Sequence, residues 1–152
     1  MHSRCLWFDK PHVKDWWNNH LSHTEIKEKY SKRIGSDIIA PFIVYLKDKP
    51  IGFIQYYFTN KVGNNWWPNE DDGTVGIDQF IGEEGYINKG YGTQMLREFI
   101  KKIFANPKIK KIITEADPHN TRAIQCYKKV GFQFVKEIIT PDGRAMLFEI
   151  KR

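Results

Sequence analysis

The sequence predicts a mixed α/β sheet, and three observations predict it. A strand pattern from Val75 to Ile81 passes through a Gly- and acid-rich connection into Asn88-Lys89-Gly90-Tyr91-Gly92-Thr93, which opens a helix. A second strand, Lys111 to Ala116, follows that helix and gives strand–helix–strand at the centre of the chain. Hairpin patterns flank this centre on both sides. The 152 residues read as one domain (1–152), with 41% hydrophobic and 14% aromatic residues to fill a sizeable core.

From the N-terminus, residues 9–34 carry helical patterning interrupted at Asn18-Asn19-His20. Beyond the break, Ser22 or Thr24 caps a helix running through Ile26 and Tyr30 to Ile34, and Gly35-Ser36 ends it. Phe42 to Leu46 alternates as a strand. Lys47-Asp48-Lys49-Pro50 turns the chain, and Ile51 to Thr59 completes a hairpin. Asn60 to Gly73 is a loop holding Trp66-Trp67, and two adjacent indoles in a polar loop cannot both enter one core. In the central helix Met95, Leu96, Phe99, Ile100, Ile103 and Phe104 make one apolar face, which Ala105-Asn106-Pro107 ends. Asn120 caps a short helix to Val130 with Gly131 just beyond it. Phe132 to Ile138 and Ala145 to Ile150 form the last hairpin through Thr140-Pro141-Asp142-Gly143.

Composition narrows the function classes. No apolar run approaches the ~20 residues that span a bilayer. The opening Met-His-Ser-Arg-Cys-Leu-Trp lacks the apolar region of a signal peptide, so a soluble, cytoplasmic protein is expected. Cys5 and Cys126 give neither a disulfide framework nor a metal spacing; each reads as a plain thiol, and no metal is expected. The net charge of +6 is unevenly spread. Between Lys61 and Lys89 there is no Lys or Arg, while Glu70, Asp71, Asp72, Asp78, Glu83 and Glu84 fall there. That asymmetry suits an anionic cofactor on one side and a cationic substrate on the other, although a solvated acidic loop produces the same pattern.

The start of the central helix is a ready anion site. Its first amides lack intrahelical partners, the helix dipole adds positive potential, and Gly90 and Gly92 leave the backbone open to a phosphate. Lys89 adds a charge-assisted contact. The pattern is neither Walker A nor the dinucleotide fingerprint, since Met95 stands where the third glycine belongs. Taken alone, such a turn is more often a tight turn with ordinary packing.

A second motif lies about 30 residues downstream: Asn120-x-Arg122-Ala123-x-x-x-Tyr127-x-Lys129-x-Gly131-Phe132. Together the two resemble the GNAT superfamily of N-acetyltransferases. A narrower resemblance, to aminoglycoside 6'-N-acetyltransferases, runs from about Cys5 to Glu149. Its landmarks are Trp16-Trp17, Pro50-Ile51-Gly52, Gln55 with Tyr57, Trp66-Trp67, Gly76-Ile77-Asp78-Gln79, Arg122-Ala123-Ile124 with Cys126-Tyr127, and Thr140-Pro141-Asp142-Gly143. The resemblance implies the GNAT fold, with a splayed central strand pair and, here, the family's N-terminal edge strand missing. Ile87 replaces the usual Gln or Arg before the glycine turn, and Asn64 stands where the subgroup often has an acid.

The same resemblance implies direct attack of an amine on the thioester carbonyl of acetyl-CoA, the co-substrate. Phe80, Ile81, Asn88, Lys89, Gly90, Tyr91, Gly92, Thr93 and Asn120 would bind the cofactor, with backbone N–H around Phe80 and Ile81 meeting the developing oxyanion. Tyr127 would protonate the departing thiolate. Asp78 would hold the substrate ammonium and receive its proton, as a weak base if its pKa is the ordinary value of about 4. Trp17, Tyr30, Gln55, Tyr57, Trp66, Trp67, Asp117 and Asp142 would join Asp78 as the substrate wall. The implied partner is a small cationic substrate, without nucleic acid or membrane, for a monomer or homodimer. Two alternatives remain open: a GNAT acetylating another amine (a polyamine, a hydroxamate precursor or a protein N-terminus), and a non-catalytic RNA-binding module. The second is weakened because the basic residues do not interleave with aromatics.

Overall fold

A computed structural model describes residues 7–17, 21–62 and 71–152. The break at Asn18-Asn19-His20, Cys5, Asn64 and the Trp66-Trp67 pair lie outside the described residues. The described chain forms α1 (Pro11–Lys14), α2 (His23–Ser31), β1 (Ile39–Leu46), β2 (Lys49–Phe58), β3 (Thr74–Ile81), a 3-10 turn (Glu84–Tyr86), α3 (Tyr91–Phe104), β4 (Lys111–Ala116), α4 (Thr121–Val130), β5 (Gln133–Thr140) and β6 (Gly143–Lys151). Six strands form one mixed sheet in the order β1-β2-β3-β4-β6-β5. The β3–β4 pair is parallel, and β6 runs antiparallel to both β4 and β5. Among the described residues no helix is long and apolar enough to cross a membrane.

Most boundaries have a local cause. Ser22 starts α2 with a reciprocal capping box: its hydroxyl accepts from Glu25 N at 3.3 Å, and Glu25 Oε2 accepts from Ser22 N at 2.7 Å. That helix stops at Ser31, short of Ile34, which is exposed. The first hairpin turns on Lys47 and Asp48 alone, with Lys47 at φ +55°, so β2 begins two residues before the expected Ile51. Asn120 caps α4 by accepting from Ala123 N. A Schellman closure ends it: Phe132 N donates to Tyr127 O at 3.0 Å and Gly131 N to Lys128 O at 3.2 Å, with Gly131 at φ +115°. The last hairpin closes at Thr140 opposite Gly143, leaving Pro141-Asp142 as its turn.

The chain divides into two compact units, Met1–Tyr56 with Asp78–Gly92 and Tyr57–Ile77 with Thr93–Arg152. The first is built on an aromatic core of Trp7, Phe8, Val13, Ile26, Tyr30, Phe53 and Phe80, against which Trp17 packs. Phe80 meets Phe8, Phe53 and Trp17 at ring-centroid distances of 5.4, 5.5 and 5.1 Å. Gly82 exists to admit Trp7: a Cβ there would overlap the indole, whose Nε1 donates to Glu83 Oε1 at 2.8 Å. The second unit buries Met95, Leu96, Phe99 and Ile103 on one face of α3, with Ile112 and Ile113 of β4 and Leu147 and Phe148 of β6. Ile100 and Phe104, expected on the same apolar face, are half-buried.

Candidate active site

Strand alternation places Asp78, Phe80 and Gly82 on one side of β3. Asp78 faces β2, where Gln55 Nε2 donates to its Oδ2 at 2.8 Å. Gln55 Oε1 in turn accepts from Arg33 Nη1 at 2.8 Å, and the Arg33 guanidinium stands 4.7 Å from the centre of the Tyr30 ring. Burial pushes the Asp78 carboxyl above the usual carboxylate range; the Gln55 hydrogen bond and the charges of Arg33 and Lys29 pull it partly back. The ordinary acidity expected for Asp78 is therefore corrected, because the sequence does not reveal how far a strand residue is desolvated.

The same alternation separates Phe80 from Ile81. Gly82 N reaches Ile51 O of β2 at 2.8 Å. Glu83 N reaches the same carbonyl at 3.2 Å, so regular alternation ends just beyond the strand. On β3 itself, His12 Nε2 lies 3.0 Å from Ile81 O. In the second unit, the parallel ladder of β3 with β4 covers Thr74–Gly76 against Lys111–Ile113. At the next position the Thr114 hydroxyl donates to Ile77 O at 3.2 Å, so a side chain terminates the pairing.

The turn before α3 has its own geometry. Asn88 takes φ +59° and Gly90 φ +85°, with Lys89 between them at negative φ. Alternation of sign of this kind is what anion-binding nests are built from. Asn88, Lys89 and Gly90 are exposed, and space beside the Gly90 Cα is open. Tyr91 meets Tyr86 with the rings tilted by 50°, centroids 5.5 Å apart. Thr93, assigned to the second unit, places its hydroxyl 3.5 Å from Cys126 Sγ. Burial raises the Cys126 thiol, which suits an inert role.

The remaining candidates are scattered. Tyr127 is buried, 5.7 Å from each of the Phe132 and Phe148 rings, so its ring is a core element whatever its hydroxyl does. Tyr57 lies over Gly76, whose missing side chain makes the room: a Cβ would fall 2.5 Å from the hydroxyl oxygen. Asp117 is exposed, and its Oδ1 accepts from His119 N at 2.8 Å, bracing the turn into α4. Asp142 is exposed in the last hairpin turn. The acidic block is not one wall: Asp71 braces Gly73 and Thr74, Asp72 pairs with Asn60, and Glu83 is held by Trp7 with Lys10 and Lys49 nearby. The first unit thus gathers Trp17, Tyr30, Gln55, Asp78 and Phe80. Sequence reasoning missed Arg33, and the available signal was its spacing of three from Tyr30, which brings a guanidinium over that ring.

Comparison with known proteins adds four findings. Residues 4–140 match the family model described as an acetyltransferase (GNAT) domain. An aminoglycoside N(6')-acetyltransferase type 1 of Klebsiella pneumoniae is 34% identical over 145 residues, covering 92% of this chain and 72% of that protein. Among solved structures, the aminoglycoside acetyltransferase AAC(6')-Ib in complex with coenzyme A gives a TM-score of 0.91 at 32% identity, covering 98% of this chain and 87% of that one. The complex of AAC(6')-Ib with coenzyme A and kanamycin gives 0.90 at the same identity and coverage.

Proposed function

The chain belongs to the GNAT acetyltransferase family, and from that premise we propose that it transfers acetyl from acetyl-CoA to the 6'-amine of an aminoglycoside, a reaction that disarms the antibiotic. The names of its relatives support this substrate class, and residues 1–152 act in it as one catalytic domain. The observation that carries it is Asp78: a carboxyl raised by burial, with Oδ2 held by Gln55.

An aminoglycoside amine arrives protonated and must shed a proton before its lone pair can attack. A carboxylate raised above its usual range is a better acceptor for that proton than an ordinary one. The freed nitrogen then attacks the thioester carbonyl carbon, the C–S bond breaks, and the amide forms. Ile81 N–H donates to the carbonyl oxygen as charge builds on it. Tyr127 supplies the proton for the departing thiolate, and the second proton that the nitrogen sheds as the amide forms restores its phenol. The Asn88–Thr93 turn and Lys89 hold the diphosphate, with Phe80 and Asn120 shaping the cofactor's surroundings. Trp17, Tyr30, Gln55, Tyr57, Trp66, Trp67, Asp117 and Asp142 contact the substrate through ring faces and charge. Most of the rate comes from holding amine and thioester together.

The test is thiol release from acetyl-CoA across a panel of amines: kanamycin, tobramycin, spermidine, lysine and a peptide N-terminus. Release with kanamycin or tobramycin at a kcat/KM well above the other amines is expected. Release only with a non-aminoglycoside would transfer the reading to that amine, and no release with any would end it.

A further inference from the structure

Asp78, Gln55 and Arg33 form a directed chain of hydrogen bonds. A carboxylate can only accept and a guanidinium can only donate, while the primary amide between them does both. The Gln55 side chain is 3% exposed, so water cannot substitute for either neighbour. Its carbonyl oxygen takes Arg33 Nη1 and its NH2 gives to Asp78 Oδ2, both at 2.8 Å. A half-turn of the amide would set N–H against N–H at one end and oxygen against oxygen at the other. While Asp78 is ionised, both flanks enforce the same orientation.

The flanks cease to be equal when a proton arrives. A protonated Asp78 can donate or accept, so it no longer dictates which end of Gln55 it meets. Arg33 still does. With the amide fixed, its NH2 stays on Oδ2, and an incoming proton cannot be shared between Asp78 and the Gln55 carbonyl. Among the described residues, Asp78 Oδ1 has no hydrogen-bond partner, which leaves it as the receiving atom. We propose that Arg33 is a positioning residue for the acetyl transfer: through the Gln55 amide it keeps Asp78 Oδ2 occupied and directs the proton from the substrate amine to Oδ1. The N–H bond of the ammonium breaks, an O–H bond forms at Oδ1, and that proton is then lost to water. Among the described residues, the charged groups facing Asp78 are Arg33 and Lys29, so removing Arg33 leaves Lys29 as the remaining cation there.

This step rests on Asp78 being the proton acceptor of the proposed reaction, and the test separates the two. Carbon-13 NMR of labelled aspartate carboxyls is followed against pH without substrate, with Asp78→Asn locating the Asp78 signal. In Arg33→Met, which keeps an apolar stem against Tyr30, the Asp78 titration should move up by ~0.5–1 pH unit, because a guanidinium charge and its hold on Gln55 are gone. The acid limb of kcat/KM with acetyl-CoA and kanamycin should move with it, a ~3–10-fold loss on the acid side, with KM for acetyl-CoA unchanged. Arg33→Lys, which restores charge and one donor, should recover at least half of the shift. Arg33→Gln serves as a second neutral variant should the methionine form fold poorly. An unmoved Asp78 titration in the neutral variants overturns the proposal, as does a moved titration with an unmoved rate limb. Absence of thiol release by the parent protein would instead overturn the proposed function, and the substrate-free titration would still decide the link from Arg33 to Asp78.

Discussion

Replacing Asp78 by Asn should make the protein more stable and less active at once. The isosteric amide keeps an oxygen in place to accept from Gln55 Nε2, so the 2.8 Å contact survives in neutral form. What it removes is a carboxylate whose burial outweighs the help of Gln55, Arg33 and Lys29. Each unit by which a carboxyl is raised corresponds to about 1.4 kcal/mol of lost stability at a pH where it must ionise. Asp78 is half-buried, so a gain in stability at pH 7, read as a higher Tm, is expected. The pH dependence has a definite sign. The folded state holds this proton to higher pH than the unfolded chain, whose carboxyl titrates near ~3.9. Parent and variant should therefore match below about pH 4, and the gap should open as pH rises through the folded value. Thermal melts from pH 3.5 to 8 measure this, and thiol release measures the accompanying fall in kcat/KM of ~10²–10³-fold. A variant that melts below the parent at pH 7 while matching it at pH 4 would refute the reasoning, because ionised Asp78 would then be a net stabiliser.

Other perturbations probe the remaining parts. Tyr127→Phe keeps the ring against Phe132 and Phe148, so stability should fall by no more than about 1 kcal/mol while turnover drops ~10²-fold; an unchanged thiol-release rate would remove Tyr127 from the chemistry. Gly92→Val sets a branched side chain in the first turn of α3 and should weaken coenzyme A binding at least ~10-fold in calorimetric titration, with a smaller effect on kcat. Equal coenzyme A affinity in variant and parent would count against the turn as the diphosphate site. Gly82→Ala drives a methyl into the Trp7 indole and should lower unfolding free energy by ~1–3 kcal/mol in urea; no change would mean that Trp7 can repack at no loss.

What could be read directly from the chain was whatever carries its own local signal. Ser22 with Glu25, Asn120, Gly131 and Pro141-Asp142-Gly143 each fix an element end within a few residues, because capping and left-handed turns are decided by near neighbours. The apolar stripe of α3 and the two spaced motifs named the family, which the family model and the relatives bear out. The interrupted helical patterning over 9–34 overran its helices, which span Pro11–Lys14 and His23–Ser31. Tertiary structure alone decided that Arg33 reaches Gln55 across 22 residues and Gln55 reaches Asp78 across 23. The contact of Gln55 with Asp78 follows from the pairing of β2 with β3, and a shift of one residue in that pairing would send the two side chains to opposite faces.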